Sequence, residues 1–231
     1  MTTIPYATIV QTIKDKSKIP NYIHKQFKKY DKENNVKRII FDDDECIEFL
    51  KVNYGPKYVN KFKYIKLGCH KADLFRYAYL YLNGGIYMDI KCMLKKPLIQ
   101  IFKDDKIFYT LDTFNGILAT PPNNKIILYC LVDIMGFRNN QKRETPCIHY
   151  GVNINKFTLY PYQFGFNKTT IDVPHIYSFN QYYIRKCKKK DRWGYCNIYM
   201  TDTYKGIRIK LIKVRDNKYF PNYSKVPIFP S

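Results

Sequence analysis

One stretch of this 231-residue chain, residues 71–91 (KADLFRYAYLYLNGGIYMDIK), commits the backbone to a helix, a tight turn and a strand in immediate succession. Residues 72–82 contain no Gly or Pro, and Leu74, Tyr77, Ala78 and Tyr81 recur at the three- and four-residue spacings of an apolar helix face. Asn83-Gly84-Gly85 then supplies the left-handed, Cβ-free positions at which a helix stops and turns. In residues 86–92 the pattern changes to alternation, with Ile86, Met88 and Ile90 on one face and Tyr87, Asp89 and Lys91 on the other. Asp73 and Arg76, three residues apart, are neighbours on the preceding helix. The unit therefore gathers five polar groups, Asp73, Arg76, Tyr87, Asp89 and Lys91.

Taken singly, these residues have ordinary explanations. An Asp and an Arg at helical spacing form a solvated ion pair worth about 0.2–0.5 kcal/mol, and Tyr87 alone is a core aromatic. Their combination is different, because Asp and Lys two apart on one face of an apolar strand carry a desolvation cost unless they meet a ligand or each other. A carboxylate and an ammonium near a strand end suit a diphosphate, the acid through a divalent cation and the base directly.

The surrounding chain alternates strand and helix signals. Residues 6–13 and 36–41 read as strands, and 19–30, 46–54 and 57–67 as helices, with Pro20 opening the first and Gly55-Pro56 ending the second. Residues 107–111 read as a further strand, Asp112 and Asn115 as part of a loop able to face a bound ligand, and 125–136 as a helix. This order predicts an α/β fold with a mostly parallel sheet, flanking helices and ligand bound beyond the carboxyl ends of the strands. Asp42, Asp43 and Asp44 sit at such an end, and a turn with a helix N-cap before Glu45 is their preferred reading. Beyond residue 140, short strands are expected at 158–166, 171–177, 196–201 and 206–214, with a hairpin over 199–212. His149, His175 and Trp193 are the residues there most able to reach a site.

Composition sets bounds. A hydrophobic content of 45% with 17% aromatics excludes a disordered chain. The first ten residues, MTTIPYATIV, lack a basic segment followed by an apolar run, and no stretch approaches 18 apolar residues, so a cytoplasmic location is expected. Seven Cys, without CxxC spacing, indicate neither a zinc site nor a disulfide framework. Abundant Lys, Tyr, Ile and Asn are what AT-rich coding favours, as in a large DNA virus or an AT-rich microbe. The net charge of +21 also fits a nucleic-acid binder, but the basic residues are dispersed. The run Arg185-Lys186-Cys187-Lys188-Lys189-Lys190 is the one dense block, and no zinc-finger, helix-turn-helix or RNP pattern accompanies it.

The run ADLFRY…LNGGIYMDIK resembles the DXD-containing sugar transferases of the Och1-like and capsular-polysaccharide type, and is similar to the large clostridial glucosylating toxins. Their signature is an Asp-x-x-Arg-Tyr helix, a Gly-Gly turn and Tyr-x-Asp-x-Asp. Upstream, Ile9-Val10-Gln11-Thr12-Ile13-Lys14 resembles the family's Ile-His-Gln-Thr-Trp-Lys, and Ile40-Phe41-Asp42-Asp43 its Leu-Trp-Asp-Asp. Downstream, residues 115–123 resemble its Asn-x-x-Ile-x-x-x-x-His-Pro element. Val10 replaces the family His, and Ile13 the Trp that in some relatives stacks on the nucleotide base.

The resemblance implies a single GT-A-like (Rossmann-like) domain over 1–231, with a nucleotide-sugar-binding core at 1–140 and an acceptor-side extension at 141–231. It implies transfer of a hexose, with retention, from a UDP- or GDP-sugar to a glycan or protein acceptor. Carried over by position, it makes Asp73, Arg76, Asp89 and Lys91 catalytic, and assigns Ile9, Gln11, Asp73, Arg76, Tyr87, Asp89 and Asn115 to the donor. It also implies Mn²⁺ or Mg²⁺, with Asp89 as the ligand that remains, because Lys91 stands where the second Asp falls. Two explanations of Lys91 stay open. Its ammonium replaces the metal as a fixed cation on the leaving diphosphate, or the chain binds nucleotide sugar or glycan without turnover. A basic nucleic-acid binder is the alternative from outside this class.

Overall fold

The computed structural model describes residue 5 and residues 8–90, 92–94, 97–102, 108–111 and 116–136, together with the strand backbones at 176–183, 198–202 and 209–214. The first strand, β1 (Thr8–Thr12), leads through a short 3-10 turn at Lys16–Lys18 into helix α1 (Asn21–Asn34), with Pro20 at its N-cap. Strand β2 (Lys37–Phe41) follows. Helix α2 (Asp43–Tyr54) is opened by a capping box in which the Asp42 carboxylate accepts from the Glu45 N–H and the Glu45 carboxylate accepts from the Asp42 N–H. The N-cap reading of the acidic run is therefore correct, and the helix starts three residues earlier than its apolar pattern predicts. Helix α3 (Pro56–Tyr64) stops before the expected end because Ile65 is extended.

The central unit contains helix α4 (Gly68–Asn83) and strand β3 (Gly85–Met88), joined at Gly84 and Gly85 with φ of +63° and +104°. A Cβ on Gly84 would lie 2.6 Å from the backbone nitrogen of Pro122, so this turn also needs the missing side chain for close approach.

The strand expected over 86–92 is not continuous. Asp89 donates its N–H to the Gly116 carbonyl at 2.8 Å, and its own carbonyl accepts from Cys92 N–H at 2.8 Å, which turns the chain. Residues Cys92–Leu94 form a separate strand, β4. The alternation ran on across this turn because Ile90 is still buried, but against Ile19, Ile23 and Phe27 at the start of α1 instead of within the sheet.

Helix α5 (Leu98–Ile101), strands β5 (Phe108–Leu111) and β6 (Ile117–Thr120) and helix α6 (Lys125–Gly136) follow, α6 with the bounds its sequence predicts. Strands β7 (Ile176–Tyr183), β8 (Ile198–Asp202) and β9 (Ile209–Val214) complete the described elements. The expected 158–166 strand lies outside the described residues. Of the 171–177 strand, residues 171–175 lie outside the described residues, while 176 and 177 fall in β7. Strands β8 and β9 pair antiparallel, as the expected hairpin requires.

The sheet order is β2-β1-β3-β6-β5-β7-β8-β9-β4. Pairs β2-β1, β1-β3 and β5-β7 are parallel, while β6 runs against both β3 and β5. This is the expected mixed α/β architecture, mostly parallel in its first half. Val10, Tyr87 and Leu118 pack on one face beneath α2, α3, α4 and α6. Ile9, Ile86, Met88, Ile117 and Ala119 pack on the other with α5, Phe102 and Tyr109. The period-2 alternation of each strand thus divides its residues between two cores.

Candidate functional site

Strands β1, β2 and β3 are parallel, so their carboxyl ends, Thr12, Phe41 and Met88, lie at one edge of the sheet. Helix α4, packed on one face of the sheet, presents His70, Asp73 and Arg76, all buried, toward Tyr87 and Asp89. These polar residues share the helix with Leu74, Tyr77 and Ala78, whose burial fixes the helix's rotation and therefore the direction of the charged groups.

Arg76 is the centre of the cluster. Its Nη2 lies 3.3 Å from Asp73 Oδ1 and 3.4 Å from Asp89 Oδ1, and its guanidinium carbon stands 4.4 Å from the centroid of the Tyr87 ring. Its Nε donates to the Ala72 carbonyl at 3.1 Å. Tyr87 Oη shares a hydrogen bond with Thr12 Oγ1 at 2.9 Å and donates to Asp89 Oδ1 at 3.4 Å. His70 Nδ1 meets Asp73 Oδ2 at 3.2 Å. A continuous polar path therefore runs His70, Asp73, Arg76, Asp89, Tyr87, Thr12. Of its two carboxylates, Asp89 is the more accessible, with 22% of its side chain exposed against 9% for Asp73.

Burial alone would depress the Arg76 pKa, but Tyr87, Asp73 and Asp89 outweigh it and push it above the ordinary guanidinium value, so Arg76 stays charged. Burial pushes the Tyr87 phenol well up despite the adjacent Arg76, which keeps it a neutral hydrogen-bond donor. Two acids face one guanidinium in this cluster. Such a set suits sugar hydroxyls, which donate hydrogen bonds, and needs a further cation before it can hold a diphosphate.

Among the described residues no group of three or more His, Cys, Asp or Glu could hold a metal ion. Asp89 offers one carboxylate whose Oδ1 already meets Arg76 and Tyr87. Divalent Mn²⁺ or Mg²⁺ wants several oxygen ligands, so the described donor set does not by itself fit the ion.

The structure brings together Asp73, Arg76, Tyr87 and Asp89, four of the residues expected to form the site. Lys91 and Asn115 lie outside the described residues, as do Asp112, His149, His175, Trp193 and the basic run 185–190. Ile9 and Gln11 do not join the cluster. Both are fully buried on the opposite face of β1, Ile9 in an apolar core and Gln11 bonded at both ends of its carboxamide within the protein. Strand alternation explains the separation, since Val10 and Thr12, not Ile9 and Gln11, share the Tyr87 face.

Sequence reasoning missed Thr12 and His70. The three-residue spacing of His70 and Asp73 on an uninterrupted helix was the available signal for the second. Thr12 becomes visible only once β1 and β3 are known to be neighbours.

The parallel strands, covering helices and buried acid-base cluster at the strand ends define a GT-A-like α/β protein. Residues 16–108 match the model of the family described as glycosyltransferase sugar-binding region containing DXD motif. The chain is 26% identical over 161 residues to an uncharacterized glycosyltransferase of Acanthamoeba polyphaga mimivirus, covering 65% of this chain and 63% of that protein. It is 39% identical over 61 residues to the initiation-specific alpha-1,6-mannosyltransferase of Saccharomyces cerevisiae, covering 26% of this chain and 13% of the yeast enzyme. The chain thus spans less than two thirds of either relative. The solved PaToxG glycosyltransferase superposes with a TM-score of 0.51 at 16% identity, over 69% of this chain and 70% of that one, and so shares the fold.

Proposed function

We propose that this protein is a glycosyltransferase that moves a hexose from a UDP- or GDP-sugar to a glycan or protein acceptor with retention of anomeric configuration. The observation that carries the reading is the Asp73–Arg76–Tyr87–Asp89 cluster at the carboxyl ends of parallel strands, inside the segment that matches the DXD family. Asp73 and Asp89 accept hydrogen bonds from donor hydroxyls, Asp89 from the more accessible position. Arg76 holds the two carboxylates in place and offsets their charge. Tyr87, fixed by Thr12, sets the direction of the Asp89 carboxylate.

Breaking the glycosidic bond develops positive charge on the sugar ring and negative charge on the leaving diphosphate. The acidic cluster is suited to the first. The cation required for the second is Lys91, two residues beyond Asp89, acting as a fixed charge in place of a metal.

A thermal-shift panel of UDP-, GDP- and CMP-sugars, with and without Mn²⁺, tests the reading. Stabilisation by one UDP- or GDP-sugar followed by release of its nucleotide supports it, and no response to any of them refutes it. If Lys91 supplies the cation, EDTA leaves donor hydrolysis unchanged; a strict Mn²⁺ requirement would overturn that role.

A further inference from the structure

Beneath the cluster, on the opposite face of the sheet, buried Gln11 meets a half-buried ion pair, Arg38 and Asp31. Arg38 on β2 grips Asp31 on α1 with two parallel bonds, Nε to Oδ2 at 2.9 Å and Nη2 to Oδ1 at 2.6 Å, and lies 4.1 Å from the centroid of the Phe27 ring. Its remaining nitrogen, Nη1, donates to Gln11 Oε1 at 2.9 Å. Gln11 is 0% exposed, and its Nε2 donates to the Asp89 carbonyl at 3.2 Å.

The order of these contacts has a consequence for the site. A carboxamide has one accepting and one donating end, and a guanidinium only donates. Arg38 therefore forces Oε1 of Gln11 toward itself and Nε2 toward β3. The reversed carboxamide would place an N–H₂ against the guanidinium and an oxygen against the Asp89 carbonyl, losing both hydrogen bonds and setting like partial charges against each other. Asp89 is beyond the last residue of β3, where sheet pairing no longer holds the backbone. Its peptide is instead fixed by Gly116 through its N–H, and by Gln11 and Cys92 through its carbonyl.

We infer that Arg38 and Gln11 are positioning residues that orient the Asp89 peptide, and through it the carboxylate presented to the donor. Gln11 thus acts on the site through the backbone of Asp89, and α1 and β2 are coupled to the site through Asp31 and Arg38. The catalytic consequence rests on the glycosyltransferase reading; the structural consequence does not.

The test uses Gln11→Glu, which keeps an acceptor for Arg38 and removes the donor to the Asp89 carbonyl without changing side-chain shape. In the full chain, the Asp89 amide and side-chain carboxyl resonances should shift while those of α6 stay in place. Hydrolysis of UDP-glucose or GDP-mannose, whichever the wild type turns over, should fall in kcat on the order of 10–100-fold with little change in KM, as small misplacements of a reacting group do. Arg38→Lys, which can still pair with Asp31 but cannot also reach Gln11 in the same geometry, should shift Asp89 in the same direction and serves if the first variant does not fold. Unchanged Asp89 resonances in the folded variant would overturn the inference. If the wild type turns over neither these nor any other UDP- or GDP-sugar yet Asp89 responds, the glycosyltransferase reading is what fails.

Discussion

Arg76 is held between two carboxylates and against an aromatic ring, and its removal should be costly for a stated reason. Arg76→Met removes the guanidinium that Asp73 and Asp89 share, and loss of one partner from a buried ion pair costs about 3–5 kcal/mol. Chemical denaturation should show that loss, and a variant as stable as the wild type would mean the cluster is more hydrated than its burial indicates. Tyr87→Phe is the milder probe. It deletes the hydroxyl that joins Thr12 to Asp89, at about 1 kcal/mol of stability, and should reduce donor turnover far more than the melting temperature. At this scale the sequence was most informative where polar residues interrupt an apolar pattern, as at Asp73, Arg76 and Asp89. It was least informative for Gln11 and Thr12, because their assignment to opposite faces depends on which strands lie beside β1.

Helix, turn and strand were legible wherever local chemistry decides them. The capping box at Asp42 and Glu45, the Gly84-Gly85 turn and the apolar α6 are set within a few residues of chain. The break after Met88 was not legible, since it depends on a hydrogen bond from Asp89 to Gly116, 27 residues away in sequence. The turn glycines give a graded expectation. Gly55 and Gly84 both have positive φ, so Ala at either should cost about 1–3 kcal/mol from backbone strain. At Gly55 nothing lies within 4 Å of the added Cβ, whereas at Gly84 it meets the Pro122 backbone. Gly84→Ala should therefore lower the thermal midpoint clearly more than Gly55→Ala, and equal losses would argue that the α4-β3 turn relaxes away from Pro122.

Across the whole molecule, tyrosines that are wholly or partly buried couple stability to alkaline pH. Burial pushes the phenols of Tyr30, Tyr54 and Tyr87 above their ordinary value of 10.0, so the folded state favours their neutral form. The unfolded chain ionises first, which means this stability is intact below about pH 10 and is lost as the pH rises through the folded-state values. Melting temperature measured between about pH 8 and pH 11 should fall at the upper end, with tyrosinate absorbance appearing together with unfolding and not before it. The alternation of strands and helices foretold the parallel half of the sheet, while the reversed β6 and the far-edge placement of β4 are long-range pairings with no local signature.

The central claim is that the Asp73–Asp89 cluster is the donor site of a sugar transferase. Nucleotide release from the UDP- or GDP-sugar that stabilises the wild type, measured for Asp89→Asn, tests it most directly. The substitution keeps the shape of the side chain and removes its charge, and turnover should fall on the order of 100-fold or more with the fold retained. Near-wild-type release by Asp89→Asn would contradict the claim.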